Sequence, residues 1–436
     1  MFKFAALGLV NKAILPEIST WIGKGLFCVQ AGAKGQCRHM SENASTSNHP
    51  SFQYCWEPGS GYYGDSLGKT GRYVHDICED FLLSHLDLVP VPSPSGVFTI
   101  GDYGTCDGFA SQQLIHKIIV HLRSKHGPDL NIQVLYEDQP SNDFNSLFKR
   151  IYDKKSFVSK FSKVFPLACG TSFYQQCVPD NSCDLIISTF AVHWLSDECV
   201  FRCPDSIFPM LSASKEEMRV YQQVVESDWE KFLLYRAAEL KPGGLLFVAQ
   251  NLKPTTKPFQ SSSETTPDKQ GSVTSSNSAQ DFLKNFDSSW KELYTQGIIT
   301  KEEYEACTIR VATRTIQETK APFENSVRRA GLFLLKGPEE MVFPCMATQL
   351  WRQKLERDGV DDRDYFADIL TKEMQVGTEA VFRNILVKTR SAAEQSAIIE
   401  QLFDTFRKKL AGVDPYTYFS DVVLSRLIAQ KLIQQR

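Results

Sequence analysis

The chain has 436 residues, 42% hydrophobic and 23% charged, with a net charge of −3. This is an ordinary globular composition, and its slight acidity gives no electrostatic reason to bind nucleic acid. No apolar run reaches the roughly 18 residues that a membrane-spanning helix needs.

A single core rarely exceeds about 250–300 residues, so one large α/β unit with a sizeable accessory part, or two domains, is expected. Residues 1–51 stand apart as an N-terminal extension. Lys3, Lys12, Lys24, Lys34 and Arg38 face one acid, Glu17, before the polar run SENASTSNHP. Two readings stand open: an organelle presequence, placing the protein in a mitochondrion or plastid, and a disordered extension of a cytoplasmic protein. Twelve cysteines are scattered without a CxxC pair. Cys199 and Cys203 lie near His193, but zinc needs a fourth ligand that the sequence does not offer, so free thiols and no metal are expected.

Residues 52–252 read as alternating strands and helices. VFTIGDYG (97–104) is an apolar run ending in an acid and a glycine, and the stripe from Leu114 to Leu122 reads as a helix. IQVLYED (132–138) is a second strand ending in acids. CDLIISTF (183–190) is nearly all apolar, as a strand buried on both faces should be. ELKPGGLLFVAQ (239–250) is a helix end, a Pro-Gly-Gly turn and a further strand. The alternation implies a mostly parallel sheet. Residues 253–280, rich in Ser, Thr, Pro and Lys, read as a loop. Residues 281–375 read as mostly helical, a cap with amphipathic stretches around FLKNFDSSWKELY and PEEMVFPCMATQLWRQKL. Residues 376–436 supply a long helix (about 393–411) and a last strand, FSDVVLSRLI (419–428).

Three signals carry chemistry. IGDYGTCDG (100–108) puts an acid and a glycine where a buried strand meets a helix, at the sheet edge where ligands bind. It lacks the full GxGxxG and a phosphate-type lysine, which disfavours a nucleotide phosphate cradle. Asp138 ends the next strand, where an acid accepts ribose hydroxyls. With LKPGGLLFV downstream, the pattern looks like the class I methyltransferase fold. PSNDFNSLF (140–148), GTSFY (170–174), STFAVHWLS (188–196) and, upstream, SGYYGDSLGK (60–69) then resemble, in order and spacing, the SABATH family of S-adenosylmethionine-dependent carboxyl and N-methyltransferases. The resemblance runs from about Phe52 to the C-terminus.

The resemblance implies a Rossmann-like α/β core capped by helices, S-adenosyl-L-methionine as cofactor, a small-molecule carboxylic acid as acceptor, and a homodimer. Tyr62 and Ser66 would close over the methionine part of the donor. Asp102 and Gly104 would frame its amino group, Asp138 would hold the ribose with Gln139 beside the adenine, and Ser172 and Phe173 would bind and stack on the adenine. Phe190, His193 and Trp194 would line the acceptor pocket, with the Trp194 indole donating to the carboxylate. Trp290, Tyr294, Phe323 and Trp351 are candidates for the pocket roof or for ordinary core. The chain departs from the family at Thr105, Cys106, Ala110 and Phe190. It also has Lys69 where the salicylate enzymes place a glutamine, and a lysine there suits an anionic acceptor. His193 is either a pocket wall donating one hydrogen bond, or it selects the substrate or acts as a base for a nitrogen acceptor. An ionised carboxylate needs no base, so positioning suffices. A heterocycle N-methyltransferase, or a donor-binding protein without activity, are the alternatives.

Overall fold

A computed structural model describes residues 56–93, 96–196, 201–253, 278–343, 345–416, 418 and 422–433. The N-terminal extension (1–51) and nearly all of the 253–280 segment lie outside the described residues. Five strands form the parallel part of the sheet: β1 (Val97–Tyr103), β2 (Asn131–Asp138), β3 (Val164–Gly170), β4 (Cys183–Thr189) and β5 (Leu240–Asn251). β6 (Leu332–Phe343) and β7 (Val422–Lys431) complete seven strands in the order β3-β2-β1-β4-β5-β7-β6. β7 runs antiparallel to both of its neighbours. The strand order reverses between β1 and β4, and open α/β sheets bind ligands in the crevice at that point.

The helices are α1 (Tyr62–Leu86), α2 (Gln112–His126), α3 (Phe144–Ile151), α4 (Lys215–Glu239), α5 (Ser278–Thr295), α6 (Lys301–Ala306), α7 (Ile316–Glu324), α8 (Met346–Asp358), α9 (Arg363–Leu386) and α10 (Ala392–Ala411), besides single turns. On one face of the sheet Ile100, Val134, Ile187 and Phe247 pack with Leu82 of α1 and Ile118 of α2. On the other, Leu135, Ile186 and Leu246 meet Trp229 and Phe232 of α4. A third core, built on Phe286, Trp290, Trp351, Phe382 and Phe403, joins α5, α8, α9 and α10. No helix among the described residues is long and apolar enough to cross a membrane.

Two expectations change. Within the mostly helical 281–375 stretch, the PEEMVF portion read as helix belongs to β6, and α8 starts only at Met346. β6 is an edge strand with charged Lys336, Glu339 and Glu340, so its pattern imitates a solvated helix face. β3 and the 25-residue α1 were not anticipated.

One buried ion pair sits under the sheet edge. Arg236 and Glu239, one turn apart at the end of α4, are both fully buried and bond twice, at 2.7 and 2.8 Å. Glu239 also accepts from the Tyr103 hydroxyl at 2.7 Å and from Cys177 N at 2.6 Å, and Arg236 donates to the carbonyls of Phe173 (2.7 Å) and Gln175 (2.9 Å). Removing one partner of such a pair strands the other charge in a dry interior. Glu239→Gln is expected to lower the unfolding free energy by about 3–5 kcal/mol, read by chemical denaturation. A loss below about 1 kcal/mol, the scale of a surface pair, would contradict this account.

Candidate active site

β1 delivers Asp102 to the carboxyl edge of the sheet, and the chain turns at Gly104, where φ is 79°. The amides of Gly104 and Thr105 both donate to the Glu137 carbonyl, at 2.9 and 3.1 Å. Asp102 is buried, and its Oδ2 accepts from the hydroxyls of Thr105 (2.8 Å) and Ser111 (2.6 Å). Burial raises the carboxyl pKa of Asp102, while Ser111, the nearby His75 and Thr105 oppose the rise. Asp102 therefore ties the turn to the start of α2. Thr105, one of the departures from the family pattern, spends its hydroxyl on this tie. A Cβ on Gly104 would lie 2.3 Å from Cβ of Ala191 and 3.6 Å from the Phe173 ring. The glycine lets the β4 turn and the aromatic loop close over β1.

Asp138 ends β2, half-buried. Its Oδ2 accepts from Cys106 N (2.7 Å) and its Oδ1 from Gln139 N (2.8 Å). Cys106 reaches it through a left-handed backbone, φ 54°. Burial outweighs these two amide donors and lifts the carboxyl pKa to about 6. The Tyr63 phenol lies among Cys106, Asp107 and Asp138, and burial first, then those groups, raise its pKa well above the ordinary value. Tyr62, singled out from the sequence, stacks on Trp56 at 5.0 Å and accepts from Lys372 at 3.0 Å. Ser66 is half-buried one turn further along α1, and the side chain of Lys69 lies outside the described residues. Buried Asp107 locks α1 to this turn by accepting from Gly64 N (2.8 Å) and pairing with Arg150 (3.1 Å).

After β3 come Ser172 and Phe173, both half-buried. The Ser172 hydroxyl accepts from Tyr174 N at 3.3 Å, and the Phe173 ring meets Tyr174 and Phe232 edge-on, at 4.8 and 5.8 Å. After β4 come Phe190, with φ 56°, and His193, their rings 4.7 Å apart, then Trp194, 5.5 Å from His193. So Asp102, Gly104, Asp138, Gln139, Ser172 and Phe173 gather at the ends of β1, β2 and β3, and the aromatic trio follows β4.

The sequence reading missed what backs that trio. Residues 309–314 lie along it: Ala312 N donates to the His193 carbonyl (2.7 Å) and Leu195 N to that of Arg310 (3.3 Å). Arg314 is buried, donating to Val192 O (3.3 Å), Gln250 Oε1 (2.9 Å) and Val225 O (3.1 Å), with its guanidinium over Trp229. Asp228 and Glu318 act on it only at longer range, and burial lowers its pKa. His193 is 4% exposed, and its Nδ1 has no hydrogen-bond partner among the described residues. Burial, then the charge of Arg314, lower its pKa to about 3. Among the roof candidates, Trp290 and Trp351 are fully enclosed in the helical core and Phe323 packs on the sheet face, while Tyr294 stacks on Tyr304 at 5.0 Å.

A sheet of this order with acids at adjacent strand ends is that of a class I methyltransferase. The model of the SAM dependent carboxyl methyltransferase family matches residues 73–424, and the chain belongs to that family, the SABATH carboxyl methyltransferases, whose donor is S-adenosylmethionine. It is 24% identical over 372 residues to a probable S-adenosylmethionine-dependent methyltransferase of Arabidopsis thaliana, covering 80% of this chain and 88% of that one. It is 27% identical to indole-3-acetate O-methyltransferase 1 of Oryza sativa subsp. japonica (58% and 65% covered) and 26% to gibberellic acid methyltransferase 1 of Arabidopsis thaliana (49% and 55%). Among solved structures, loganic acid methyltransferase with SAH shares the fold at a TM-score of 0.63 and 17% identity, covering 87% of this chain and 98% of that one.

Gly104→Ala should cost about 1–2 kcal/mol from the left-handed backbone and about 1–3 kcal/mol more from overpacking against Ala191. Adding Ala191→Gly should recover the second part. A double-mutant cycle by denaturant unfolding that shows no coupling would refute the contact.

Proposed function

We propose that this protein methylates the carboxylate of a small organic acid to give its methyl ester. The observation that carries this reading is the electrostatic state of the acceptor side. His193 is neutral at physiological pH and far too weak a base, with a pKa of about 3, to deprotonate a nitrogen acceptor. A carboxylate needs no such base. It needs a positive potential and an N–H to orient it. The buried Arg314 supplies the first, and the unpartnered Nδ1 of His193, in its N–H tautomer, supplies the second. Phe190 and the half-buried Trp194 give apolar walls, which suits an aromatic or aliphatic acid. Among the relatives, two are named for indole-3-acetate and gibberellic acid, which are carboxylic acids.

The residues present fit the donor. Each Asp138 oxygen takes one amide and retains a lone pair for a ribose hydroxyl. Phe173, fixed by its neighbours, offers a ring to the adenine, with Ser172 and Gln139 beside it. Tyr63 joins this group beside Asp138. Asp102 acts from behind by holding the turn. The bound donor supplies an electrophilic methyl group on a sulfonium. The protein holds the acceptor oxygen in line with it and keeps water out, and such positioning is worth up to ~7–11 kcal/mol.

Incubation with radiolabelled donor and a panel of acids including indole-3-acetate and gibberellic acid should give base-labile labelled esters. The acceptor kcat/KM should be flat between about pH 7 and 8.5, where no base has to ionise. Label appearing only on heterocyclic nitrogen, or a rising limb near neutrality, would overturn the carboxyl reading.

Asp138 gives a second pH test. Its folded pKa of about 6 stands above the ordinary 3.8, so it accepts ribose hydroxyls fully above pH 6 and progressively loses that capacity as pH falls through it. The affinity for S-adenosylhomocysteine, by calorimetry, should hold at alkaline pH and fall by up to about tenfold per unit below about pH 6. Asp138→Asn should bind weakly at every pH with that dependence removed. An unchanged pH profile in the variant would rule Asp138 out as the ribose acceptor.

A further inference from the structure

The face of the sheet that carries α1 and α2 holds a second concavity, of about 720 Å³, that includes none of the residues at the carboxyl edge. It is walled by the chain entering α1, by the first turns of α2, by α3 and by the turn at 156–160. Its size falls in the ~300–1,000 Å³ range of small-molecule pockets.

Its charge is one-sided. Arg72, Lys117, Lys149, Arg150, Lys155 and Lys160 line it, against Asp65 and Asp153. Arg150 pairs with Asp65 and Asp107, Lys117 pairs with Glu79, and Lys149 donates to the Gly59 carbonyl. Among the described residues, Arg72, Lys155 and Lys160 have no carboxylate in ion-pair range, and Arg72 Nε is buried without a hydrogen-bond partner. The guanidinium groups of Arg72 and Arg150 lie 4.6 and 5.0 Å from the centre of one ring, Phe109. That ring offsets some of the repulsion between them and leaves both at the cleft. His116 in the same wall has its pKa lowered by burial, then by Lys160 and Lys117.

A cleft lined by one sign of charge focuses its potential and concentrates the opposite ion. The chain as a whole is acidic, so this cluster is not a general surface excess. Arginine forks and lysine point charges on one small concavity match phosphate oxygens better than a single carboxylate. We propose that this cleft is a second ligand site, separate from the methyl-transfer site, that binds a phosphorylated small molecule with at least two phosphate charges. The phosphates contact Arg72, Lys155 and Lys160, and the organic part covers Phe109.

The test uses the full chain and two probes, ATP and inorganic pyrophosphate, titrated by calorimetry at low salt. Both should bind at concentrations below about 1 mM, with ATP tighter because only ATP covers Phe109. The double variant Lys155→Glu/Lys160→Glu should weaken both by at least about tenfold, the loss of one to two charge-assisted contacts. Arg72→Gln should do the same. Affinity for S-adenosylhomocysteine and the thermal midpoint should stay at wild-type values in the double variant, which separates lost binding from lost folding. Failure of both probes to bind the wild type, or equal binding by wild type and the double variant, overturns the proposal.

Discussion

The Arg236–Glu239 pair is the constraint on which the rest of the site depends. Two opposite charges without access to water have to satisfy their remaining hydrogen-bonding capacity within the protein. They do so on the end of β1, through Tyr103, and on the loop after β3, through Phe173, Gln175 and Cys177. One side chain pair on α4 therefore sets the distance between the turn holding Asp102 and the ring facing it. The aromatic contacts of Phe173 with Tyr174 and Phe232 then fix the ring plane. Apolar packing alone would leave that loop free to slide, because dispersion has little directional preference. The ion pair supplies direction.

The two halves of the site use charge in opposite ways. On the proposed donor side, carboxylates at the ends of β1 and β2 accept from hydroxyls and amides of their own turns. On the proposed acceptor side a guanidinium is buried among carbonyl groups, and a histidine beside it stays uncharged. Carbonyl dipoles solvate the cation without cancelling its charge. In the proposed reading these form a negative wall and a positive wall around one crevice, matched to a cationic donor and an anionic acceptor. On that reading proton transfer has no part in the reaction, which accords with a neutral, weakly basic His193 beside Phe190 and Trp194.

Much of this was legible in the sequence. β1, β2, β4 and β5 are interior strands, so their apolar runs are continuous and end in acids or polar turns. The motifs that carry the family resemblance fall on their carboxyl ends. β3 and β6 were lost because both are edges. β3 contains Pro166 and leaves Phe165 and Leu167 half outside, and β6 carries lysine and glutamate toward solvent. Which of Tyr62 and Tyr63 lies beside Asp138 depends on the rotational phase of α1, set by Gly64 abutting Asp107, and no local pattern gives that phase. Arg314 was unreadable for a different reason. Charged residues are rarely interior, and nothing nearby in sequence marks this one as enclosed, since its partners at 192, 225 and 250 come from three separate elements.

The reversed strand β7 has a consequence for biosynthesis. It lies between β5 and β6, and neither of them has another neighbour on that side. A nascent chain emerging from the ribosome can assemble β1 to β5 early. It must then carry an open β5 flank and an unpaired β6 segment until residues 422–431 clear the exit tunnel. Unpaired flanks of this kind are templates for wrong partners. The charges of Lys336, Glu339 and Glu340 on β6 disfavour such mispairing.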